Sequence, residues 1–152
     1  SGLSCFNEGV NMNIIKLTDS LAVSAQINPQ DVAAVAAAGY QVLINNRPDG
    51  EEGTQPSGAA IAAAAREAGL EYHHLPVTAM NFPGPGFDAM SDLLDDPDRP
   101  ALAFCRSGTR CANLWVASCD EGVRDQSMQL AGQHGYDLGM ATNYLASGAS
   151  RK

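Results

Sequence analysis

Basic residues are scarce in this sequence: nine lysines and arginines stand against seventeen aspartates and glutamates, which gives a formal net charge of −8. Proteins that bind nucleic acids or anionic lipid surfaces need positive charge to neutralise phosphates. Long apolar runs are also lacking, because no stretch approaches the roughly 18 residues that a membrane-spanning helix needs. We therefore expect neither nucleic acid nor a membrane among the partners of this chain.

Histidine and cysteine are few as well. The sequence contains three histidines, two of them adjacent, and four cysteines, at Cys5, Cys105, Cys111 and Cys119. These cysteines form no CxxC pair, show no zinc-ligand spacing and are too sparse for a disulfide scaffold. We therefore predict neither a metal nor another cofactor. The N-terminus lacks the basic and apolar regions of a signal peptide, so we expect a reducing, cytoplasmic compartment.

The length of 152 residues suits one domain with a sizeable core. We predict a polar tail or linker over residues 1–12 and one catalytic domain over residues 13–148. Strand and helix patterns alternate along that domain, which is typical of an α/β fold with a mostly parallel sheet of four or five strands flanked by helices. The strand patterns cover residues 14–17, 21–24, 42–44, 72–77 and 101–104, and the helix patterns cover 28–39, 59–68, 87–94, 111–119, 124–131 and 138–145. We expect the 101–104 strand to be central.

The most informative segment runs from Cys105 to Arg110, between that strand and a predicted helix. Successive backbone N–H groups in such a loop converge on one point, and the helix N-terminus adds partial positive charge. This setting should lower the pKa of the Cys105 thiol below its usual value of about 8.5, and the thiolate is the nucleophilic form. Arg110 offers a bidentate fork to an oxyanion, while Gly108 allows close approach of the backbone. The other loop residues complete the predicted anion-binding set: Arg106, Ser107 and Thr109.

Two further polar residues follow the 42–44 strand and should reach the same edge of the sheet as Cys105. Arg47 is predicted to help bind an anionic substrate. Asp49 is predicted either to orient Arg110 or to act as a general acid. A purely structural turn held by a salt bridge is the alternative for both residues.

The residues around these candidates are given simpler interpretations. Cys111 directly follows the loop and either resolves an oxidised Cys105 or packs in the first helical turn. The acidic pair Glu51 and Glu52 is interpreted as a solvated face, or as a candidate for the general acid that is more remote than Asp49.

The loop letters CRSGTR resemble the active-site loop of rhodanese-type sulfurtransferases. The order of elements resembles dual-specificity protein tyrosine phosphatases, and more closely the phosphatase-like domain of β-lactamase-hydrolase-like proteins. That resemblance covers residues 13–146 and is most specific at Asn46–Asp49, His73–Thr78 and Cys105–Arg110. It implies a fold like that of the tyrosine phosphatases and chemistry at the cysteine. It also implies a fused or partner sulfur-oxidising enzyme.

Two departures from the phosphatase pattern favour sulfur transfer. Four residues separate Cys105 from Arg110, where tyrosine phosphatases have five, and residues 79–81 read Ala-Met-Asn where they place an acidic residue. A small cradle suits a single sulfur atom, and sulfite or a thiolate leaves without a proton donor. We therefore predict a sulfurtransferase that passes sulfur through a Cys105 persulfide and takes it from a small anionic donor. The alternatives are a phosphatase acting on a phosphoester through a phosphocysteine, and a non-catalytic sulfur carrier.

Overall fold

The computed structural model describes residues 14–78, 80–94, 96 and 98–146. The predicted tail over residues 1–12 and the end of the predicted domain lie outside these residues. The described strands are β1 Ile15–Lys16, β2 Leu21–Ser24, β3 Val42–Asn45, β4 Glu71–His74 and β5 Ala101–Phe104. The helices are α1 Val32–Ala37, preceded by a 3-10 turn at Pro29–Asp31, α2 Gly58–Ala68, α3 Phe87–Leu94, α4 Thr109–Ser118, α5 Glu121–Gln133 and α6 Gly139–Ala146.

The strands form one sheet in the order β1-β2-β5-β3-β4. β5 lies in the middle and runs parallel to both neighbours, with Ala101 opposite Leu21 on one side and opposite Val42 on the other. β4 is also parallel, and only β1 among the described strands is antiparallel to its neighbour. The predicted mostly parallel α/β sheet and the central position of the 101–104 strand are therefore confirmed.

β5 can occupy the centre because all four of its residues are apolar and fully buried. Successive side chains of a strand point to opposite faces. Ala101 and Ala103 accordingly belong to the core formed with α3 to α6, whereas Leu102 and Phe104 belong to the core formed with α1 and α2. Helices thus cover both faces of the sheet, and the carboxyl ends of β2, β3 and β5 meet at one edge.

Local signals set the helix ends that the sequence predicted. Ser57 caps α2 by accepting a 3.1 Å hydrogen bond from the Ala60 amide, and Gly69 ends that helix in the left-handed region, at φ 82°. None of the helices in the described part of the chain combines the length and apolar character that crossing a bilayer requires.

The strand predicted over residues 72–77 is shorter in the structure and ends at His74. The next segment still follows β3, since the Leu75 amide donates to the Asn45 carbonyl at 2.8 Å and the Val77 amide donates to the Asn46 carbonyl at 3.1 Å. From Leu75 to Val77 this chain advances two residues while its acceptor advances only one, from Asn45 to Asn46, so the regular register of the ladder is lost there. The departing chain brings Val77 towards the Cys105 loop.

Candidate active site

Cys105 is the first residue after β5 and lies at the carboxyl edge of the sheet. Its amide donates to the Ser24 carbonyl at 3.3 Å, which ties the start of the loop to β2. Its Sγ accepts a 3.1 Å hydrogen bond from the amide of Gly108, the residue before α4. Gly108 adopts a φ of +89°, which L side chains rarely adopt. This turn aims a backbone N–H at the sulfur, as the sequence predicted.

The pKa of the Cys105 thiol is lowered to about 6. The largest cause is a hydrogen bond from the Cys111 thiol, and burial opposes it by disfavouring the charged form. The amides of Cys111 and Ser107 and the charge of Arg110 lower the pKa further. Cys105 is therefore a thiolate at neutral pH.

Cys111 is fully buried in the first turn of α4. Burial, followed by the hydrogen bond with Cys105 and then the charge of Cys105, raises its pKa well above the usual value. The two thiols therefore differ: Cys111 keeps its proton and donates it towards the Cys105 sulfur. Its predicted role in resolving an oxidised Cys105 stays a prediction.

Arg110 has only 13% of its side chain exposed and is held by two partners. Its Nη1 and Nη2 each donate to one carboxylate oxygen of Glu51 at 2.8 Å, which is the bidentate geometry. Nη1 also donates to the Val77 carbonyl at 3.0 Å. This pairing holds the pKa of Glu51 at about 2, with the Arg110 hydrogen bond as its largest cause. Glu51 is therefore ionised at neutral pH.

Arg47 is buried and paired, which agrees with the salt-bridged turn that the sequence analysis left open as the alternative, and its predicted contact with an anionic substrate stays a prediction. Its side chain is 2% exposed, and all three of its nitrogens donate to protein oxygens. Nε binds Glu51 at 2.9 Å, Nη2 binds Glu52 at 2.8 Å, and Nη1 binds Gln26 at 3.0 Å. A buried arginine needs such partners because an unpaired charge is costly to bury. Arg47 thus fixes the carboxylates of Glu51 and Glu52 through these hydrogen bonds.

Asp49 is exposed, and its Oδ1 accepts a 2.6 Å hydrogen bond from the Gly58 amide at the start of α2. The carboxylate that hydrogen-bonds Arg110 in the structure is that of Glu51. The orienting role and the general-acid role that the sequence suggested for Asp49 stay predictions.

The remaining loop residues line the outer part of the turn. Arg106 is 65% exposed, with its Nη2 3.4 Å from Glu52. The exposed Ser107 donates through Oγ to the Oγ1 of Thr109 at 3.0 Å. These positions agree with a loop whose side chains point outward while its amides face the sulfur. Their predicted contacts to an anion stay predictions.

The sequence analysis did not identify the acidic partners of these arginines. Glu51 and Glu52 were interpreted as a solvated face and as remote candidates for the general acid, yet Glu51 binds Arg47 and Arg110, and Glu52 binds Arg47 and Arg106. The offset of four positions from Arg47 to Glu51 could have indicated their ion pair. The pairing of Glu51 with Arg110 had no such local signal, because Arg110 lies 59 residues further along the chain.

Elsewhere the described residues offer little chemistry. They contain no group of three or more His, Cys, Asp or Glu placed to hold a metal ion. A groove of about 510 Å³ lies along α4 and α5, lined by Trp115, Cys119 and Leu130 among others. No residue of the Cys105–Arg110 loop lines this groove, so the groove is separate from the candidate active site.

Comparison with known proteins places this site in a family. Residues 13–121 match the family described as beta-lactamase hydrolase-like protein, phosphatase-like domain. A beta-lactamase hydrolase-like protein of Xylella fastidiosa is 37% identical over 137 residues, and one of Agrobacterium fabrum is 30% identical. Each match covers 88% of this chain but 32% of the relative, so the chain spans about a third of their length.

Solved structures agree with that match. A candidate phosphatase from Neisseria meningitidis Z2491 is 35% identical, with a TM-score of 0.68 over 82% of this chain and 90% of that one. Kinase associated phosphatase, at 15% identity, has a TM-score of 0.62 over 90% and 92% of the two chains, and shows that the fold is that of the tyrosine phosphatases. This chain belongs to the phosphatase-like domain family of the beta-lactamase hydrolase-like proteins.

Proposed function

We propose that this domain is a cysteine-dependent phosphatase of the tyrosine-phosphatase type. The Cys105 thiolate attacks a phosphoryl group, so that a P–S bond forms as the P–O bond to the leaving group breaks. Water then hydrolyses the phosphocysteine and releases inorganic phosphate and the thiolate. One observation carries the proposal: the pKa of Cys105 is about 6, in a loop closed by the Gly108 amide and Arg110, on this family's fold.

The loop supplies what phosphoryl transfer needs. The transferred group carries its charge on three equatorial oxygens, and positioned donors stabilise that charge without reorganising. Backbone amides and the Arg110 guanidinium are such donors. Arg106, Ser107 and Thr109 surround the same turn and are proposed to add contacts to the substrate.

Proton supply limits which esters suit this site. Glu51 is ionised, with a pKa of about 2, and residues 79–81 read Ala-Met-Asn, so neither offers a proton to the leaving oxygen. Asp49 remains the proposed acid, yet it is exposed and engaged with Gly58. We therefore infer that the best substrates are phosphoesters whose leaving groups depart as stable anions, such as aryl phosphates.

Sulfur transfer is the second candidate, and the four-residue spacing between Cys105 and Arg110 favours it. In this reaction the Cys105 thiolate attacks the outer sulfur of an anionic donor such as thiosulfate. A Cys105 persulfide forms as the donor S–S bond breaks and sulfite leaves. A thiol acceptor then takes the sulfur. A cytoplasmic setting and a fused or partner sulfur-oxidising enzyme belong to this candidate, as does the simpler role of a sulfur carrier.

Two measurements on the same preparation separate the candidates. We expect hydrolysis of p-nitrophenyl phosphate with many turnovers, lost in Cys105→Ser and retained in Cys119→Ser, whose thiol lies outside the loop. Intact mass after exposure to glutathione persulfide reports the alternative. A gain of about 32 Da on Cys105 that cyanide removes, without phosphate release from the ester, would replace the phosphatase by the sulfurtransferase. One equivalent of sulfur without turnover would indicate a carrier.

A further inference from the structure

Glu51 binds only one edge of the Arg110 guanidinium, the edge formed by Nη1 and Nη2. The N–H groups outside that edge determine how Arg110 can bind an anion. Arginine has five N–H groups, in a fixed planar fork. Both hydrogens of Nη1 are used, by Glu51 and by the Val77 carbonyl, and one hydrogen of Nη2 is used by Glu51. Within the described part of the chain, the two hydrogens of this guanidinium that have no partner are the Nε–H and the second Nη2–H. They lie parallel on one edge of the guanidinium, which is the pair that binds two oxygens of one anion.

The carboxylate that sets this orientation is itself fixed. Oε1 of Glu51 accepts from Arg47 Nε at 2.9 Å as well as from Arg110 Nη2 at 2.8 Å, so it lies between two guanidinium groups. Arg47 is 2% exposed, and its Nη1 donates to Gln26 at 3.0 Å. These hydrogen bonds therefore connect the end of β2, the segment after β3 and the start of α4. Glu51, which joins Arg47 to Arg110 within them, is ionised at neutral pH.

From this arrangement we propose that Glu51 is a positioning residue, which holds Arg110 with its Nε–Nη2 edge free for an oxyanion above Cys105. The inference deepens the proposed function and rests on it in one respect, that an anion enters the Cys105 loop. It gives Glu51 a role that simple electrostatics would not. A carboxylate that merely competed for Arg110 would weaken anion binding, and its removal would strengthen it. A positioning carboxylate has the opposite effect.

The test compares two reagents that alkylate Cys105, the anion iodoacetate and the neutral iodoacetamide. The ratio of their rates measures how well the loop receives a carboxylate, and it cancels any change in the thiolate fraction. We expect Glu51→Gln to lower the ratio about tenfold, because a coupled pair of this kind is worth about that factor. Glu51→Asp keeps the charge and should restore part of the ratio.

The matched control is Glu52→Gln, whose carboxylate holds Arg47 and Arg106 but not Arg110. We expect it to change the ratio less than twofold. In an Arg110→Ala background, Glu51→Gln should have no further effect, since its action passes through Arg110. An unchanged or raised ratio in Glu51→Gln would overturn the proposal, as would an equal fall in Glu52→Gln or a persisting effect without Arg110. If Glu51→Gln does not fold, Glu51→Asp is measured in its place. A ratio of the iodoacetate and iodoacetamide rates equal to that of the unaltered chain would then contradict the proposal.

This readout requires neither a phosphoester nor a sulfur donor. A lowered ratio together with absent ester hydrolysis would therefore reject the phosphatase and keep the positioning role. Ester hydrolysis together with an unchanged ratio would reject the positioning role and keep the phosphatase.

Discussion

At the residue scale, the reactivity of Cys105 comes from its neighbours. Burial alone would raise the pKa of a thiol, yet the pKa of Cys105 falls to about 6 because hydrogen-bond donors and a guanidinium surround the sulfur. The donor with the largest effect is Cys111, whose own proton is retained because burial and the hydrogen bond with Cys105 raise its pKa. Cys105 is thus a thiolate because Cys111 stays neutral.

The first prediction concerns this pair. Because only the thiolate is alkylated, the rate for Cys105 with iodoacetamide should rise with pH to a plateau, with a midpoint near pH 6. Cys111→Ala removes a donor that stabilises the thiolate, so the midpoint should move upward. Cys119→Ala, which alters a thiol outside the loop, should leave it in place. A midpoint that does not move in Cys111→Ala would show that the thiol contact does not hold the thiolate.

A second prediction concerns the turn at Gly108. A Cβ on this residue would lie 3.1 Å from the Tyr136 hydroxyl, and its φ of +89° is strained for any L side chain. We expect Gly108→Ala to cost about 1–3 kcal/mol of the free energy of unfolding, and to raise the Cys105 pKa by moving an amide donor.

The matched control for that change is Gly132→Ala in α5, where a Cβ would meet nothing within 4 Å. This substitution should stabilise the protein by at most about 1 kcal/mol, because alanine is the better helix former. Urea unfolding measures both variants. Equal effects of the two alanines would argue against strain at Gly108.

Sequence reasoning works at this scale where the chemistry is local. Cys105, Gly108 and Arg110 lie within six residues, so their letters predict a cradle directly. Glu51 could not be found in the same way, because its partner Arg110 is 59 residues away and only folding brings them together. In the sequence, Asp49 and Glu51 were equally plausible partners for Arg110. In the structure the Asp49 carboxylate instead accepts a hydrogen bond from the Gly58 amide, at the start of α2.

At the element scale, one buried side chain holds the helices that support the loop. Asn113 of α4 donates through Nδ2 to the carbonyls of Thr109 and Asp137, both at 2.8 Å. Its Oδ1 accepts from the Ala141 amide of α6 at 2.9 Å. The side chain is fully buried, so no water can replace these bonds without rearrangement. Asn113 thus ties α6 and the segment before it to the start of α4.

The third prediction follows from these bonds. Asn113→Ala leaves the Asp137 carbonyl and the Ala141 amide without their partner, and each such loss costs about 1–3 kcal/mol. We expect the free energy of unfolding to fall by about 2–4 kcal/mol, and amide exchange to accelerate in α6 before the rest of the domain. Asn143→Ala is the control, since Asn143 is an exposed residue of α6 and its loss should matter by at most about 0.5 kcal/mol. Uniform acceleration over all helices would mean that Asn113 does not act on α6 in particular.

Element boundaries were predicted well where a punctuating residue marks them. Gly69 ended α2, and the patterns for α3 and β5 matched the structure to the residue. The strand over residues 72–77 was too long because its apolar letters continue to Val77, whereas the hydrogen-bond register with the segment after β3 changes between Leu75 and Val77. A pattern of hydrophobic residues does not indicate where the hydrogen-bond register with the neighbouring strand ends.

At the scale of the whole molecule, the net charge and the charge at the site differ. The chain carries −8, whereas the three arginines at the site are balanced by two glutamates and the Cys105 thiolate. The arginines therefore attract an anion only at short range, while the overall charge repels an approaching anion at distances within the Debye length.

The fourth prediction concerns that repulsion. Raising ionic strength from 0.01 to 0.15 M shortens the Debye length from about 30 to about 8 Å, so the rate of Cys105 alkylation by iodoacetate should rise about twofold. The neutral reagent iodoacetamide is the control and should show no such dependence. A fall with salt for iodoacetate alone would mean that the arginines dominate the approach.

The order of the strands also bears on how the protein is made. Among the described strands, β5 is the last to leave the ribosome, yet it lies between β2 and β3. Until Ala101 to Phe104 emerge, the edges of β2 and β3 that β5 later covers have no partner, and such edges pair readily with other chains. Cys105 directly follows this late strand, and the Gly108 amide that bonds its sulfur comes later still. The thiolate that these donors stabilise can therefore form only after the strand that β2 and β3 need has been made.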